Sequence, residues 1–136
     1  MDLKLKDKVV LVTGGSKGIG KAISLSLSRE GCKLAICARG KDLLQRTAAS
    51  IEKETGNEVF AVTADLTQPD DVKIMAKNIV SHFGHIDVLI NNAGSSPGGI
   101  LENLTEEDWA QSLQLKFMGY VRCCKEIIPY MQKQGG

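Results

Sequence analysis

The chain has 136 residues, 43% of them hydrophobic and 24% charged, with a formal net charge of +1. This length suits one domain with a buried core. The near-neutral balance gives no bulk attraction to nucleic acid or a membrane surface, and no apolar run reaches the roughly 20 residues of a membrane-crossing helix.

In chain order, Met1-Asp2-Leu3-Lys4-Leu5-Lys6-Asp7-Lys8 alternates charge and lacks the apolar centre of a signal peptide, so a cytoplasmic location is expected. Val9-Val10-Leu11-Val12 reads as a buried strand over about residues 8–13. Gly14-Gly15-Ser16-Lys17-Gly18-Ile19-Gly20 is a glycine-rich turn, and Ile19, Ala22, Ile23 and Leu27 mark a helix over about 18–30. Gly31 sits where a C-terminal cap belongs. A strand feeding a glycine loop that opens a helix makes an anion site, because free backbone N–H groups and the positive end of the helix dipole face one point. The plain alternative is a turn that only closes tightly.

Lys33-Leu34-Ala35-Ile36-Cys37 is a second strand, and Leu44, Ala48 and Ile51 mark a helix over 41–54 that Gly56 follows. Val59-Phe60-Ala61-Val62 is a third strand. Thr67-Gln68-Pro69-Asp70-Asp71 predicts a helix start with a Thr cap, a first-turn proline and two acids near the dipole's positive end. Val72, Met75, Ala76, Ile79, Val80 and Phe83 then share a face up to Gly84. Residues 86–91 form a fourth strand, 94–103 a Gly/Ser/Pro loop, and Thr105-Glu106-Glu107-Asp108 a capping box. A long helix to about 133 carries Trp109, Leu113, Tyr120, Cys124, Ile127 and Met131 on one stripe read as core, with Pro129 loosening its last turns.

Apolar strands alternating with helices predict an α/β, Rossmann-like, doubly wound parallel sheet over a single domain, 1–136. Right-handed crossovers give the order 3-2-1-4, with the glycine loop at the carboxyl edge of the central strand, where ligands bind in such sheets. The cysteines, Cys32, Cys37, Cys123 and Cys124, form no CxxC pair and no zinc cluster with histidine; reduced packing residues and no metal are expected. His82 and His85 flank a helix end, where a cation suits the dipole.

Glycines at 14, 18 and 20 follow a G-x-x-x-G-x-G spacing, and Asn91-Asn92-Ala93-Gly94 comes directly after the fourth strand. Together with Ala64-Asp65-Leu66, these motifs resemble the short-chain dehydrogenase/reductase family along nearly the whole chain. The resemblance implies a dinucleotide cofactor. Gly14, Ser16, Gly18, Ile19 and Gly20 would lie along its pyrophosphate and ribose, with Gly18 and Gly20 small so that backbone can approach phosphate. Asp65 and Leu66 would meet the adenine, Asn91 would brace the fourth strand, and Ala93 and Gly94 would leave room beside the nicotinamide. Where a member binding NAD usually carries an acid after the second strand, this chain has Ala38 followed by Arg39, with Lys17 nearby in the loop. A carboxylate repels a ribose 2′-phosphate and a guanidinium grips it, so NADP(H) is expected.

Lys116 stands where the family usually has an asparagine that supports a proton relay. An amine cannot accept as an amide oxygen does. The other reading is a lysine whose stem covers apolar surface while its head reaches solvent. The family's catalytic Ser and Tyr-x-x-x-Lys are not in these residues, so no catalytic set is identified here and truncation before the fifth strand is expected. The implied whole is a homo-oligomeric oxidoreductase moving a hydride between NADP(H) and a small ketone or secondary alcohol, a 3-oxoacyl carbonyl among them. A non-catalytic NADP-binding module is the alternative.

Overall fold

The computed structural model describes residues 3–136. Four parallel strands, β1 (Val9–Thr13), β2 (Lys33–Ala38), β3 (Val59–Thr63) and β4 (Val88–Ile90), lie in the order β3-β2-β1-β4. This is the order the alternation predicts. Side chains alternate across a strand. Val9, Leu11 and Ala35 therefore face one core, closed by α3 (Pro69–Phe83) and α4 (Glu106–Lys133). Val10, Val12, Leu34 and Ile36 face the other, closed by α1 (Gly18–Arg29) and α2 (Lys41–Thr55). With both faces covered, the central strands can be apolar throughout, and β1 is buried along its whole length.

Several local expectations change. The fourth strand is shorter than 86–91 because side chains replace ladder bonds at both ends. The Asp87 carboxylate accepts the Val9 N–H at 2.8 Å, and the Thr13 hydroxyl accepts the Asn92 N–H at 2.9 Å. Thr67 does not cap α3: Gln68 holds that position, with Pro69 in the first turn, and the Thr67 hydroxyl donates to Asp65 Oδ1. α1 forms as the periodicity predicts; it buries Gly20, Ser24 and Ser28 fully, packs Ile23 and Leu27 against the core, and leaves Ile19 and Ala22 exposed. The capping box of Thr105 and Asp108 forms in full, and α4 runs through Pro129 to Lys133.

The stripe assigned to the α4 core holds in its second half, where Ile127 is buried and Met131 packs against the core, and fails in its first. Gly119, Cys123 and Ile127 are buried, whereas Trp109 and Leu113 are exposed. The first turns of α4 project past the sheet, and its apolar contact with the core begins only at Leu115. All four cysteines are free, and three are buried. His82 stacks on Phe60 with ring centroids 4.1 Å apart and pairs with Glu58, while His85 pairs with Asp87 at 3.0 Å.

Asp87 ties the start of β4 to β1. Burial raises its carboxyl pKa, but the Val9 N–H, His85 and Lys8 outweigh that and hold it below the usual value. A depressed folded-state pKa contributes stability above the unfolded pKa, near 3.9, and loses it as pH falls through the folded value. Asp87→Asn should therefore cost about 1 kcal/mol at pH 6, roughly 3–5 °C in Tm, with the gap to wild type closing below about pH 3. Thermal melts across that range measure it; a gap independent of pH would show that the carboxylate charge contributes nothing.

Candidate functional site

The carboxyl ends of β1 and β4 are joined by side chains. Thr13 Oγ1 donates to the Ile90 carbonyl at 3.3 Å and accepts the N–H groups of Asn92 and Ala93 at 2.9 and 3.0 Å. Asn92 Nδ2 returns bonds to the Thr13 and Gly14 carbonyls at 3.0 and 3.3 Å. The bracing expected of Asn91 is thus made by Asn92. Asn91 turns toward α4, where its Nδ2 lies 3.5 Å from Cys124 Sγ and its Oδ1 is buried without a partner.

This joint explains two of the glycines. A β-carbon on Gly14, whose φ is +66°, would stand 2.8 Å from Ala93 Cα. One on Gly20 would stand 2.1 Å from the Gly14 carbonyl oxygen and 2.5 Å from Asn92 Nδ2. The loop's own backbone therefore already requires glycine at position 20. Gly18, at φ +54°, opens onto free space. No side chain caps the first turn of α1, so its leading N–H groups remain available to an anion. Two outside contacts hold the loop: Gly15 N donates to the Cys37 carbonyl at 3.1 Å, and Thr47 Oγ1 on α2 to the Ser16 carbonyl at 2.7 Å.

A groove of about 860 Å³ runs along this edge. Gly14, Ser16, Lys17, Gly18, Ile19 and Gly20 line it from the glycine loop, Ala38 and Arg39 from the end of β2, Ala64 and Leu66 from the wall after β3, and Ala93, Gly94, Ser95 and Leu115 from the segment after β4 and from α4. Of the expected site residues, Asp65, Asn91 and Lys116 do not line it. Lys17 and Arg39 are the charged groups among the described lining residues, and no carboxylate faces the groove. Asp65 stands just behind the wall: its N–H donates to Asp71 at 2.9 Å, and its Oδ1 accepts from Thr67 N and Oγ1 at 2.9 and 2.8 Å. Burial raises its carboxyl pKa, yet these bonds and the nearby Arg39 and Arg122 bring it below the usual value. The Lys116 stem lies against Gly94, whose added β-carbon would meet Cε at 3.0 Å and Cγ at 3.1 Å, and the residue is exposed. Among the described residues no cluster could hold a metal ion, and no helix is long and apolar enough to cross a membrane.

Asn92, Thr47 and Leu115 belong to this site although the sequence reading passes over them. Asn92 could have been found from its place in the same tetrapeptide. Thr47 and Leu115 carry no local signal, because their roles depend on where α2 and α4 pack.

An open parallel sheet with a glycine loop and an uncapped helix start at its carboxyl edge defines an α/β nucleotide-binding protein. More narrowly, the chain belongs to the short-chain dehydrogenase family, whose family model matches residues 8–136. It is similar to the 3-oxoacyl-(acyl-carrier-protein) reductase FabG of Staphylococcus epidermidis, 38% identical over 94% of this chain and 52% of that protein. Among solved structures it resembles the L-sorbose reductase of Gluconobacter frateurii, complexed with NADPH and L-sorbose. The TM-score is 0.93 at 33% identity over 100% of this chain and 52% of that one. It also resembles a short-chain dehydrogenase/reductase of Burkholderia phymatum in complex with NAD, with a TM-score of 0.91 at 28% identity over 98% of this chain and 47% of that one. The chain spans about half the length of the curated relatives it matches.

The joint can be broken without changing its shape. Thr13→Val removes the hydroxyl and leaves the buried N–H groups of Asn92 and Ala93 without their acceptor. We expect a loss of about 2–4 kcal/mol, roughly 10 °C in Tm, by denaturant and thermal unfolding. A change under about 1 kcal/mol would show that water or a shifted loop replaces the hydroxyl.

Proposed function

We propose that this chain is the cofactor-binding portion of an oxidoreductase that moves a hydride between NADP(H) and a ketone or secondary alcohol. The observation that carries the cofactor choice is a groove free of carboxylates, with Lys17 and Arg39 as its charged lining groups. Solved relatives hold NADPH in one case and NAD in another, so membership of the family does not choose between them. The charge of this groove favours the 2′-phosphorylated form, since Ala38 stands where an acid would oppose it.

The residues present fit such a cofactor. Backbone of Gly14, Ser16, Gly18, Ile19 and Gly20 would hold the pyrophosphate, Lys17 and Arg39 the 2′-phosphate, and Asp65 and Leu66 the adenine. Ala93 and Gly94 would leave space at the nicotinamide side, with Asn91 behind them. When bound, the nicotinamide supplies or accepts the hydride. Similarity to FabG supports a 3-oxoacyl thioester as one substrate class, and similarity to L-sorbose reductase supports a small polyol or keto-sugar as another. One observation favours a non-catalytic NADP-binding module instead: Lys116, an exposed amine, occupies the position of the family's relay asparagine.

Self-association belongs to the same proposal. Trp109, Leu113, Phe117 and Val121 form a stripe on α4, each 44–63% exposed, and β4 leaves one strand edge unpaired at the end of the sheet. Apolar stripes and free edges of this kind recruit other chains. Free cysteines fit a reducing, cytoplasmic setting.

Titration calorimetry should give tighter binding of NADPH than of NADH. Arg39 is exposed, so its contribution is screened, and Arg39→Ala should weaken NADPH about tenfold while changing NADH less than about twofold. Equal wild-type affinities would overturn the choice of NADP(H). By sedimentation velocity the chain should run as a dimer or larger, and Phe117→Glu should shift it toward monomer. A monodisperse wild-type monomer would count against self-association.

A further inference from the structure

The wall of the groove formed by Ala64 and Leu66 is tied to α4, against which Leu66 packs. Arg122, on α4, sends Nη1 to the Leu66 carbonyl at 3.1 Å and to the Gln114 carbonyl at 3.0 Å. Its Nη2 reaches Gln114 Oε1 at 2.6 Å. The guanidinium thus spans from the α4 backbone to the strand-end segment that carries Asp65. Gly119 lies beside this segment: a β-carbon there would sit in ordinary contact, 3.4 Å from Leu66 Cβ and 3.7 Å from the Leu66 carbonyl oxygen.

The other bonds on this segment are local. Asp71 takes the Asp65 N–H, and Thr67 holds Asp65 Oδ1. These fix the shape of the turn but not its distance from α4. Leu66 and Leu115 both line the groove and pack in the same core cluster, Leu115 on the same helix as Arg122. A smaller hollow of about 350 Å³ adjoins it, sharing Arg39, Ser95 and Leu115 and lined also by Thr67 and Gln114.

Resting on the cofactor reading above, we propose that Arg122 is a positioning residue for the adenine end of the cofactor: by tying the Leu66 carbonyl to α4, it fixes where the Asp65–Leu66 segment of the lining stands relative to Leu115. It touches no part of the reacting centre, so its effect is on adenine affinity and not on the nicotinamide end. The guanidinium also stands near the Asp65 carboxylate and helps keep it ionised.

The test uses the full chain with two probes, NADPH and adenosine 2′,5′-bisphosphate, which carries the adenine end alone. Arg122→Met should raise Kd for both by the same factor, about five- to tenfold, and Arg122→Lys should restore part of the loss. Gln114→Met, which removes only the Nη2 anchor, should give the same pattern at smaller size. In NMR titrations the Asp65 carboxyl pKa should rise in Arg122→Met, a change that loosening elsewhere would not produce. Unchanged affinities in both Arg122 variants, or a loss for NADPH without one for the adenosine probe, would overturn this inference alone. Failure of the wild-type chain to bind either probe would overturn the cofactor reading, and this inference with it.

Discussion

The hydrogen-bonded joint between Thr13 and Asn92 sets the geometry on which the rest of the groove depends. Two parallel strands end side by side there, and each hands its chain to a loop that forms part of the site. Backbone groups at such an opening must find partners or water. One hydroxyl serves three of them, and one amide serves two more. The cost of the joint is space. With the Asn92 amide and the Gly14 carbonyl packed against the start of α1, no side chain fits at position 20. Glycine is required there by the protein's own packing before any ligand arrives, whereas Gly18, open to the groove, is required by its positive φ.

From that joint the electrostatics of the groove follow. α1 buries a line of small residues, Gly20, Ser24 and Ser28, so the helix lies close to the sheet with its uncapped start at the strand ends. The dipole and free N–H groups then make the centre of the groove favourable for a diphosphate. Lys17 and Arg39 add positive charge with no opposing carboxylate on the lining. Asp65, the acid nearest the wall, has one oxygen occupied by Thr67 and the segment behind it fixed by Asp71 and Arg122. The result is an anion site flanked by a recessed acceptor, a division of charge that suits a nucleotide whose phosphates and base lie apart.

Much of this was legible in the sequence because it depends on local chemistry. Apolar runs alternating with helical periods specify parallel strands, and crossover handedness then allows the observed order. The glycine spacing and the Asn91-Asn92-Ala93-Gly94 segment marked the two loops that do meet. What the sequence could not assign was the partner of each polar side chain. Asn91 and Asn92 are the same residue type, and only the strand pleat decides that one turns to α4 and the other to β1. Thr47 and Arg122 reach their carbonyls across 31 and 56 residues of sequence, so no local pattern could single them out.

The misplaced helix faces have a common physical cause. At the start of α1 and in the first half of α4 large apolar residues stand exposed beside buried small ones, while Ile23 and Leu27 of α1 and Ile127 of α4 still meet the core. Ile19 is 74% exposed while Gly20 and Ser24 are buried, and Phe117 is 63% exposed while Gly119 and Cys123 are buried. A period of 3.6 reports that a helix is amphipathic but not which of two apolar lines meets the core. Backbone proximity decides. Where a helix must bring its own main chain close to another, as α1 does to the Gly14 carbonyl, side chains are excluded from the contact. Small residues at helical spacing therefore mark the positioning face of a helix beside a site of this kind. The exposed large residues beside them are Ile19, which lines the groove, and Phe117, on the open face of α4.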